Sequence, residues 1–184
     1  LGARVNNPLV IYSPPGMGKT HFLHAIGNEL IKNNKTAKVL YTEAESFVNE
    51  YILSLEKGID SFRNKFRSLD CLLIDDIQFL ADKTKSQEEF FYTFNNLFES
   101  RKQIVITSDR DPKELPLSER IKSRLISAQR GDIALPDYED RVAILMRKNI
   151  IYKRNLADDI LKYIATVVTS NIRELEGALL AVSG

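Results

Sequence analysis

The feature that most constrains this chain is a strand–loop–helix passage near its start. The apolar run Leu9-Val10-Ile11-Tyr12 leads into Ser13-Pro14-Pro15-Gly16-Met17-Gly18-Lys19-Thr20, and a helical pattern follows from about Lys19 to Lys32. A strand feeding a glycine-bearing loop at a helix start makes an anion cradle. Backbone N–H groups point inward, and the positive end of the helix dipole adds to them. Lys19 supplies a mobile positive charge for β- and γ-phosphates, and the Thr20 hydroxyl suits Mg²⁺. Glycine at 16 and 18 lets the backbone approach a triphosphate closely. Pro15, Met17 and His21 are further candidates to line the cradle. The strict G-x-x-x-x-G-K-[ST] pattern has a glycine where this chain has Ser13, so a positive φ at that position is in question. The bland alternative is an ordinary strand–turn–helix with a chance Gly-Lys-Thr; the strand before and the helix after favour the cradle.

Composition narrows the rest. With 184 residues the chain makes one domain, or one domain and a small appendage. Lys+Arg 26 against Asp+Glu 25 leaves a net charge of +1, which excludes a basic tail protein or an acidic disordered one. Any nucleic-acid contact must come from a local patch. The stretch 101–130 is such a patch, with eight Lys/Arg against four Asp/Glu. A single cysteine excludes a disulfide framework and a cysteine-rich zinc site, and points to a reducing compartment. No apolar run approaches the roughly 18 to 20 residues that span a bilayer. The chain starts at Leu1 and shows no leader, so it reads as a fragment.

Short apolar runs alternate with longer helical patterns, which predicts an α/β domain with a mostly parallel sheet. After the first strand and helix, strands are expected at Val39–Tyr41, at Cys71–Ile74, at Ile104–Thr107 and at Ile133–Leu135. Helices are expected at about 43–56, at 58–68 and from Lys85 to Arg101. The Cys71 strand is apolar on both faces and therefore central. From Pro136 onward three helices are expected: one starting at the N-cap Asp137, one over 158–169, and one from Ser170-Asn171. The expected organisation is a nucleotide-binding α/β body over 1–135 and a helical lid over 136–184.

Leu72-Leu73-Ile74-Asp75-Asp76 is an apolar strand ending in two acids. Asp75 is the candidate to hold Mg²⁺, directly or through water, and Asp76 to orient and polarise an attacking water. Alternatively both cap the following turn. Thr107-Ser108-Asp109 ends the next strand, where ligands of open α/β sheets bind; a turn before Pro112 is the other reading. Arg120 and Arg124 lie four apart on one helical face. Forked, permanently charged guanidinium suits phosphate, so at least one is expected to act on a neighbouring subunit's nucleotide; a solvated basic face is the alternative. Arg173, early in the last helix, is expected to reach the nucleotide, or else to pair with Glu174 or Glu176. His21 and His24 make a poor metal pair. Cys71 reads as an inert core residue, and Phe90, Phe91, Phe94 and Phe98 as a core stripe.

Taken together these segments resemble the ATPase body of the DnaA family, bacterial chromosome replication initiators of the AAA+ class. The matching stretches are Asn7-Pro8-Leu9, Gly18-Lys19-Thr20-His21-Phe22-Leu23-His24-Ala25-Ile26-Gly27-Asn28, Phe62-Arg63-Asn64-Lys65-Phe66-Arg67-Ser68 and Leu72-Leu73-Ile74-Asp75-Asp76-Ile77-Gln78-Phe79-Leu80. Gln87-Glu88-Glu89-Phe90-Phe91, Thr107-Ser108-Asp109-Arg110 and Ser170-Asn171-Ile172-Arg173-Glu174-Leu175-Glu176-Gly177-Ala178-Leu179 continue it. The resemblance covers essentially the whole chain. The phosphate loop is shared by all NTPases of the class; the Asp-Asp-Ile-Gln-Phe run and the last helix are particular to initiators.

The resemblance implies a P-loop sheet sandwiched by helices and followed by a helical lid. It implies Walker A at Lys19 and Thr20, Walker B at Asp75 and Asp76, sensor 1 at Asp109, and sensor 2 at Arg173. Asn7 is implied among the nucleotide-binding residues. Arg120 and Arg124 correspond to arginines facing the next protomer's ATP, with Arg124 as the finger. The implied activity is weak ATP hydrolysis used as a switch, with ATP/ADP and Mg²⁺ as cofactors, ATP-dependent homo-oligomerisation, and contact with single-stranded origin DNA that promotes duplex opening. Ile52, Arg63 and Lys85 are the candidate DNA contacts, and the protein is expected in the cytoplasm at the nucleoid. Contacts with the replicative helicase or its loader, and recognition of duplex boxes, are expected of regions outside this chain. Rival readings are a regulatory paralogue, a helicase loader, a small-molecule kinase and a nucleotide-binding scaffold that does not hydrolyse.

Overall fold

The computed structural model describes residues 6–183. Five strands, β1 (Leu9–Tyr12), β2 (Val39–Glu43), β3 (Cys71–Asp75), β4 (Gln103–Ser108) and β5 (Gln129–Asp132), form one sheet in the order β2-β3-β4-β1-β5. Every pairing is parallel. All carboxyl ends therefore lie along one edge, where an open α/β sheet takes its ligand. The helices are α1 (Lys19–Asn33), α2 (Ala44–Lys57), α3 (Ile59–Arg67), α4 (Thr84–Glu99), α5 (Glu119–Ile126), α6 (Tyr138–Ile151), α7 (Asp158–Val167) and α8 (Ile172–Val182). Short 3₁₀ turns occupy Ile77–Leu80 and Pro112–Glu114.

The chain forms two compact units. One contains the residues up to Ser13 together with Lys19–Asp132; the other contains Pro14–Gly18 together with the residues from Ile133 on. The loop 14–18 thus groups with the helices, although nothing in its sequence marks it apart from its own strand.

In the sheet unit β3 is buried at every position, as its unbroken apolar run predicts. Leu72, Ile74, Ile104 and Ile106 point into a core shared with Phe47, Phe62, Phe66, Phe90 and Phe94 from α2, α3 and α4. Phe47 meets Phe62, Phe66 and Phe90 edge-on or nearly so, with centroids 4.9–5.8 Å apart, the arrangement aromatic quadrupoles favour. The phenylalanine stripe of α4 is therefore core at Phe90 and Phe94, but Phe98 is 39% exposed and stacks on Phe94 from outside. Burial, then the charge of Asp70, pushes the Cys71 thiol up to about 12, so it stays protonated and inert near neutrality.

The fifth strand lies elsewhere than expected. Ile133–Leu135 is irregular and Leu135 is 60% exposed, whereas the polar Gln129-Arg130-Gly131-Asp132 pairs with β1. An edge strand is held by backbone hydrogen bonds on one side and needs no apolar run, so hydrophobicity is a poor guide to it.

In the helical unit Leu145, Leu161, Ile164, Ala165, Leu175 and Leu179 form a separate small core. Asp137 caps α6 by accepting from the Asp140 N–H at 2.8 Å. The Asn149 carboxamide bonds both the N–H and the C=O of Leu156, tying the α6–α7 turn to α6.

Candidate functional site

In the sheet unit the site is built on the carboxyl ends of β1, β3 and β4. The Lys19 ammonium is buried and donates to the Ser13 carbonyl at 2.7 Å. Thr20, in the first turn of α1, donates from its hydroxyl to Asp75 Oδ2 at 2.6 Å. Tyr41 of β2 donates to the same oxygen at 3.1 Å, and Thr107 of β4 donates to Asp75 Oδ1. Two neighbouring strands and one helix thus send donors to one carboxylate on β3 that is 2% exposed. Burial, followed by the nearby Asp75 charge and hydrogen bond, raises the Tyr41 hydroxyl well above its usual value, so it remains a donor.

Asp76 leaves β3 in a left-handed conformation, φ 54° and ψ 58°. Its N–H donates to Thr107 Oγ1 at 2.8 Å, and its Oδ1 accepts from Gln78 Nε2 at 3.1 Å. Asp76 occupies the N-cap position of the 3₁₀ turn without a side-chain cap bond, and the Asp75 oxygens accept from Thr20, Tyr41 and Thr107 rather than from the turn. The other end of Gln78 accepts from the Asp109 N–H at 3.3 Å. The Asp109 carboxylate is forked by Arg110 at 2.9 and 2.7 Å. That hydrogen bond, more than the Arg110 and Lys19 charges, holds its pKa below the usual carboxylate range.

In the helical unit the loop 14–18 packs on the start of α8. Arg173 donates its backbone N–H to the Gly16 carbonyl at 3.2 Å. Gly16 and Gly18 have φ of 83° and 87°, the left-handed region, while Ser13 is absent from the positive-φ residues. The missing first glycine therefore carries no strain here. A Cβ on Gly16 would stand 2.7 Å from Asn171 Oδ1 and 3.2 Å from the Arg173 Cβ. The close neighbour that demands glycine is thus this chain's own helix start, in addition to any phosphate. Met17 is buried, and Pro15 and His21 are exposed. Glu174 bonds Ser170 and Asn171, and Glu176 bonds Lys148 and Tyr152. The expected alternative of an Arg173 ion pair with either acid is not what the structure shows.

Other candidates fall elsewhere. Both polar ends of the Asn7 side chain are spent on the Lys102 carbonyl (2.8 Å) and the Ile104 N–H (2.9 Å), at the amino edge of the sheet away from the strand ends that hold the acids. Arg63 donates to Glu89 at 3.1 and 2.8 Å, and Arg67 joins at 2.7 Å. Arg63 is thus an anchor of α3 on α4 rather than a free basic tip. Ile52 and Lys85 are exposed, and so are Arg120 and Arg124, which have no ion-pair partner among the described residues. His24 packs its ring on Tyr41, centroids 4.4 Å apart. Tyr41, Gln78 and Asn171 were not singled out from the sequence. Asn171, which accepts from the Glu174 N–H three residues on, showed only as the start of the last helix, and the Gln78 bond to the Asp109 N–H, 31 residues away, leaves no sequence signal.

Thr20 and Asp75 offer hard oxygen donors in adjacent positions, the chemistry Mg²⁺ takes. Among the described residues no three His, Cys, Asp or Glu side chains gather as a metal site. A cation here would depend on phosphate oxygens and water for most of its ligands.

Comparison with known proteins gives a consistent set of relatives. The family described as the bacterial DnaA ATPase domain matches residues 2–130. The chromosomal replication initiator protein DnaA of Caldanaerobacter subterraneus subsp. tengcongensis is 52% identical over 98% of this chain, which spans 41% of that protein's length. The crystal structure of domain III of the Thermotoga maritima replication initiation protein DnaA superposes with a TM-score of 0.93 at 41% identity, covering 97% of this chain and 75% of that one. A structure of replication initiator DnaA bound to AMPPCP and single-stranded DNA superposes at 0.87 and 37% identity, covering 98% and 56%. No helix among the described residues is long and apolar enough to cross a membrane.

Proposed function

This chain belongs to the bacterial DnaA ATPase-domain family, and on that premise we propose that it is a nucleotide switch: it binds ATP or ADP, hydrolyses ATP slowly, and assembles with copies of itself on single-stranded origin DNA when ATP is bound. The observation that carries the reading is the convergence of Thr20, Tyr41 and Thr107 on Asp75, with Asp76 beside it, at the carboxyl ends of adjacent parallel strands.

The roles follow from that geometry. The phosphates lie on loop N–H groups, and Lys19 leaves the Ser13 carbonyl to meet them. Thr20 and Asp75 would hold Mg²⁺, which would supply a positive charge to offset charge developing on the phosphates. Asp76 orients the attacking water and accepts its proton. Arg173, whose backbone N–H bonds the Gly16 carbonyl, would meet phosphate with its guanidinium. Arg124 and Arg120, exposed on α5, contact the ATP of an adjoining copy, so loss of the γ-phosphate removes a cross-subunit contact. Ile52 and Lys85 touch DNA from exposed positions, where repeated copies add their contacts. The helical unit from about residue 136 serves as the nucleotide lid.

Sedimentation with ATP and with ADP, alongside ATP turnover, tests this. ATP should give larger assemblies than ADP. Arg124→Ala should lose them while keeping nucleotide affinity, and Asp76→Asn should abolish turnover. Equal turnover by wild type and Asp76→Asn would remove the hydrolytic reading.

A further inference from the structure

We propose that Gln78 is a positioning residue that yokes Asp76 to the strand-end segment at Asp109, so that the water-orienting acid and the γ-phosphate-facing end of β4 move together. This rests on the nucleotide-switch reading above. Gln78 lies in the 3₁₀ turn after β3 and is partly exposed. Its amide is used at both ends: Nε2 donates to Asp76 Oδ1 at 3.1 Å, and Oε1 accepts from the Asp109 N–H at 3.3 Å. Doing both takes a side chain with a donor and an acceptor at fixed spacing, and the Gln78 carboxamide supplies them.

The bridge has a second strut. Thr107 accepts from the Asp76 N–H and donates to Asp75. Asp76 is therefore held through its backbone by Thr107 and through its carboxylate by Gln78, in a left-handed conformation that is uncommon outside glycine and that aspartate tolerates better than most residues. Two strands, β3 and β4, are joined at their carboxyl ends by groups that are not part of the sheet ladder. A shift of Asp109, on gain or loss of a γ-phosphate, is passed to the Asp76 carboxylate through one side chain. The bond to Nε2 also fixes one Asp76 oxygen and leaves the other to accept from water.

Two substitutions separate the halves of the bridge. Gln78→Met keeps the length of the side chain and removes both bonds. Gln78→Glu keeps an acceptor for the Asp109 N–H but cannot donate to Asp76. In the nucleotide-free chain, amide exchange read by NMR should quicken at Asp109 roughly tenfold in Gln78→Met and stay near wild type in Gln78→Glu. With ATP and Mg²⁺, kcat should fall roughly tenfold or more in both variants, further in Gln78→Glu, with KM and ADP affinity within about twofold of wild type. A residue that only stabilised the turn would lower the melting temperature and nucleotide affinity together and would not split the two variants at Asp109. Wild-type kcat in both variants overturns the proposal while leaving the ATPase reading intact. If the wild-type chain turns over no ATP, that reading and the yoke fall together. Unchanged Asp109 exchange in Gln78→Met removes the yoke whatever the turnover.

Discussion

Single residues here are placed by what their polar ends must satisfy. Asp70, just ahead of β3, accepts from the Lys102 ammonium at 2.8 Å and from the Lys38 N–H at 2.9 Å. The Lys102 bond first, and the Lys38 bond second, hold its pKa below the usual 3.8. A carboxylate lowered in the folded state stabilises above its unfolded pKa and loses that contribution as pH falls through the folded value. The side chain is 41% exposed, so solvent screening limits the gain to under about 1 kcal/mol. Asp70→Asn should therefore lower stability by less than ~1 kcal/mol at pH 7, and its urea midpoint should converge on wild type as the pH falls from about 4 toward 2. A difference that persists unchanged at the acid end would assign the effect to shape rather than charge. Gly16 shows the same logic in the backbone: its φ of 83° strains any other residue, and a Cβ there would force the Asn171 side chain and the start of α8 to shift, so the fold itself favours glycine at this position.

At the scale of elements, what the sequence made legible was what burial or a contiguous motif dictates. β3 was visible because both its faces are covered, and the phosphate loop because strand, glycines, Lys19 and Thr20 are adjacent in the chain. β5 was not, because an edge strand such as Gln129–Asp132 is specified by its partner's backbone. Asn7 was given to the nucleotide on resemblance, whereas its amide is consumed at the opposite edge of the sheet. Arg63 was given to DNA on resemblance; in the structure its guanidinium is bonded to Glu89, which lies 26 residues away on another helix and leaves no local signal. That pairing is the hinge pin of the 59–67 helix: Glu89 is 3% exposed and takes bonds from both Arg63 and Arg67. Glu89→Gln keeps the shape and removes the charge from under two guanidiniums. Because both arginines are partly solvated, the cost should be about 2 kcal/mol, below that of breaking a fully buried pair. Arg63→Ala should cost about half as much, because Arg67 keeps its bond. Denaturant midpoints of the two variants check this; a midpoint unchanged in both would mean that α3 is held by its phenylalanines alone.

Among the described residues, the buried clusters of the sheet unit and the helical unit differ greatly in size. The sheet unit surrounds Phe47, Phe66, Phe90, Phe94 and the central strands, while the helical unit centres on six buried residues, one of them alanine. So small a core supplies little surplus over the entropy of ordering three helices. The loop 14–18 belongs to the smaller unit by its contacts and is joined by the chain to β1 and α1 of the larger. A ligand on that loop therefore favours the folded form of the unit that has least stability of its own. Binding that excludes the unfolded form adds about 2.7 kcal/mol at a hundred times Kd, which is large beside the margin of a six-residue core. Without nucleotide, amides of α6, α7 and α8 should exchange with solvent faster than those of β3 and β4, through an opening that leaves the sheet folded. Saturating ATP or ADP should slow the helical amides by roughly tenfold to a hundredfold, as the linkage term requires, and change the β3 amides far less. The Gly16–Arg173 backbone bond makes the Leu175 and Leu179 turns of α8 the place to look first. Uniform exchange across both cores in the nucleotide-free chain would show a single cooperative unit, and the loop would then transmit nothing that the sheet does not already feel.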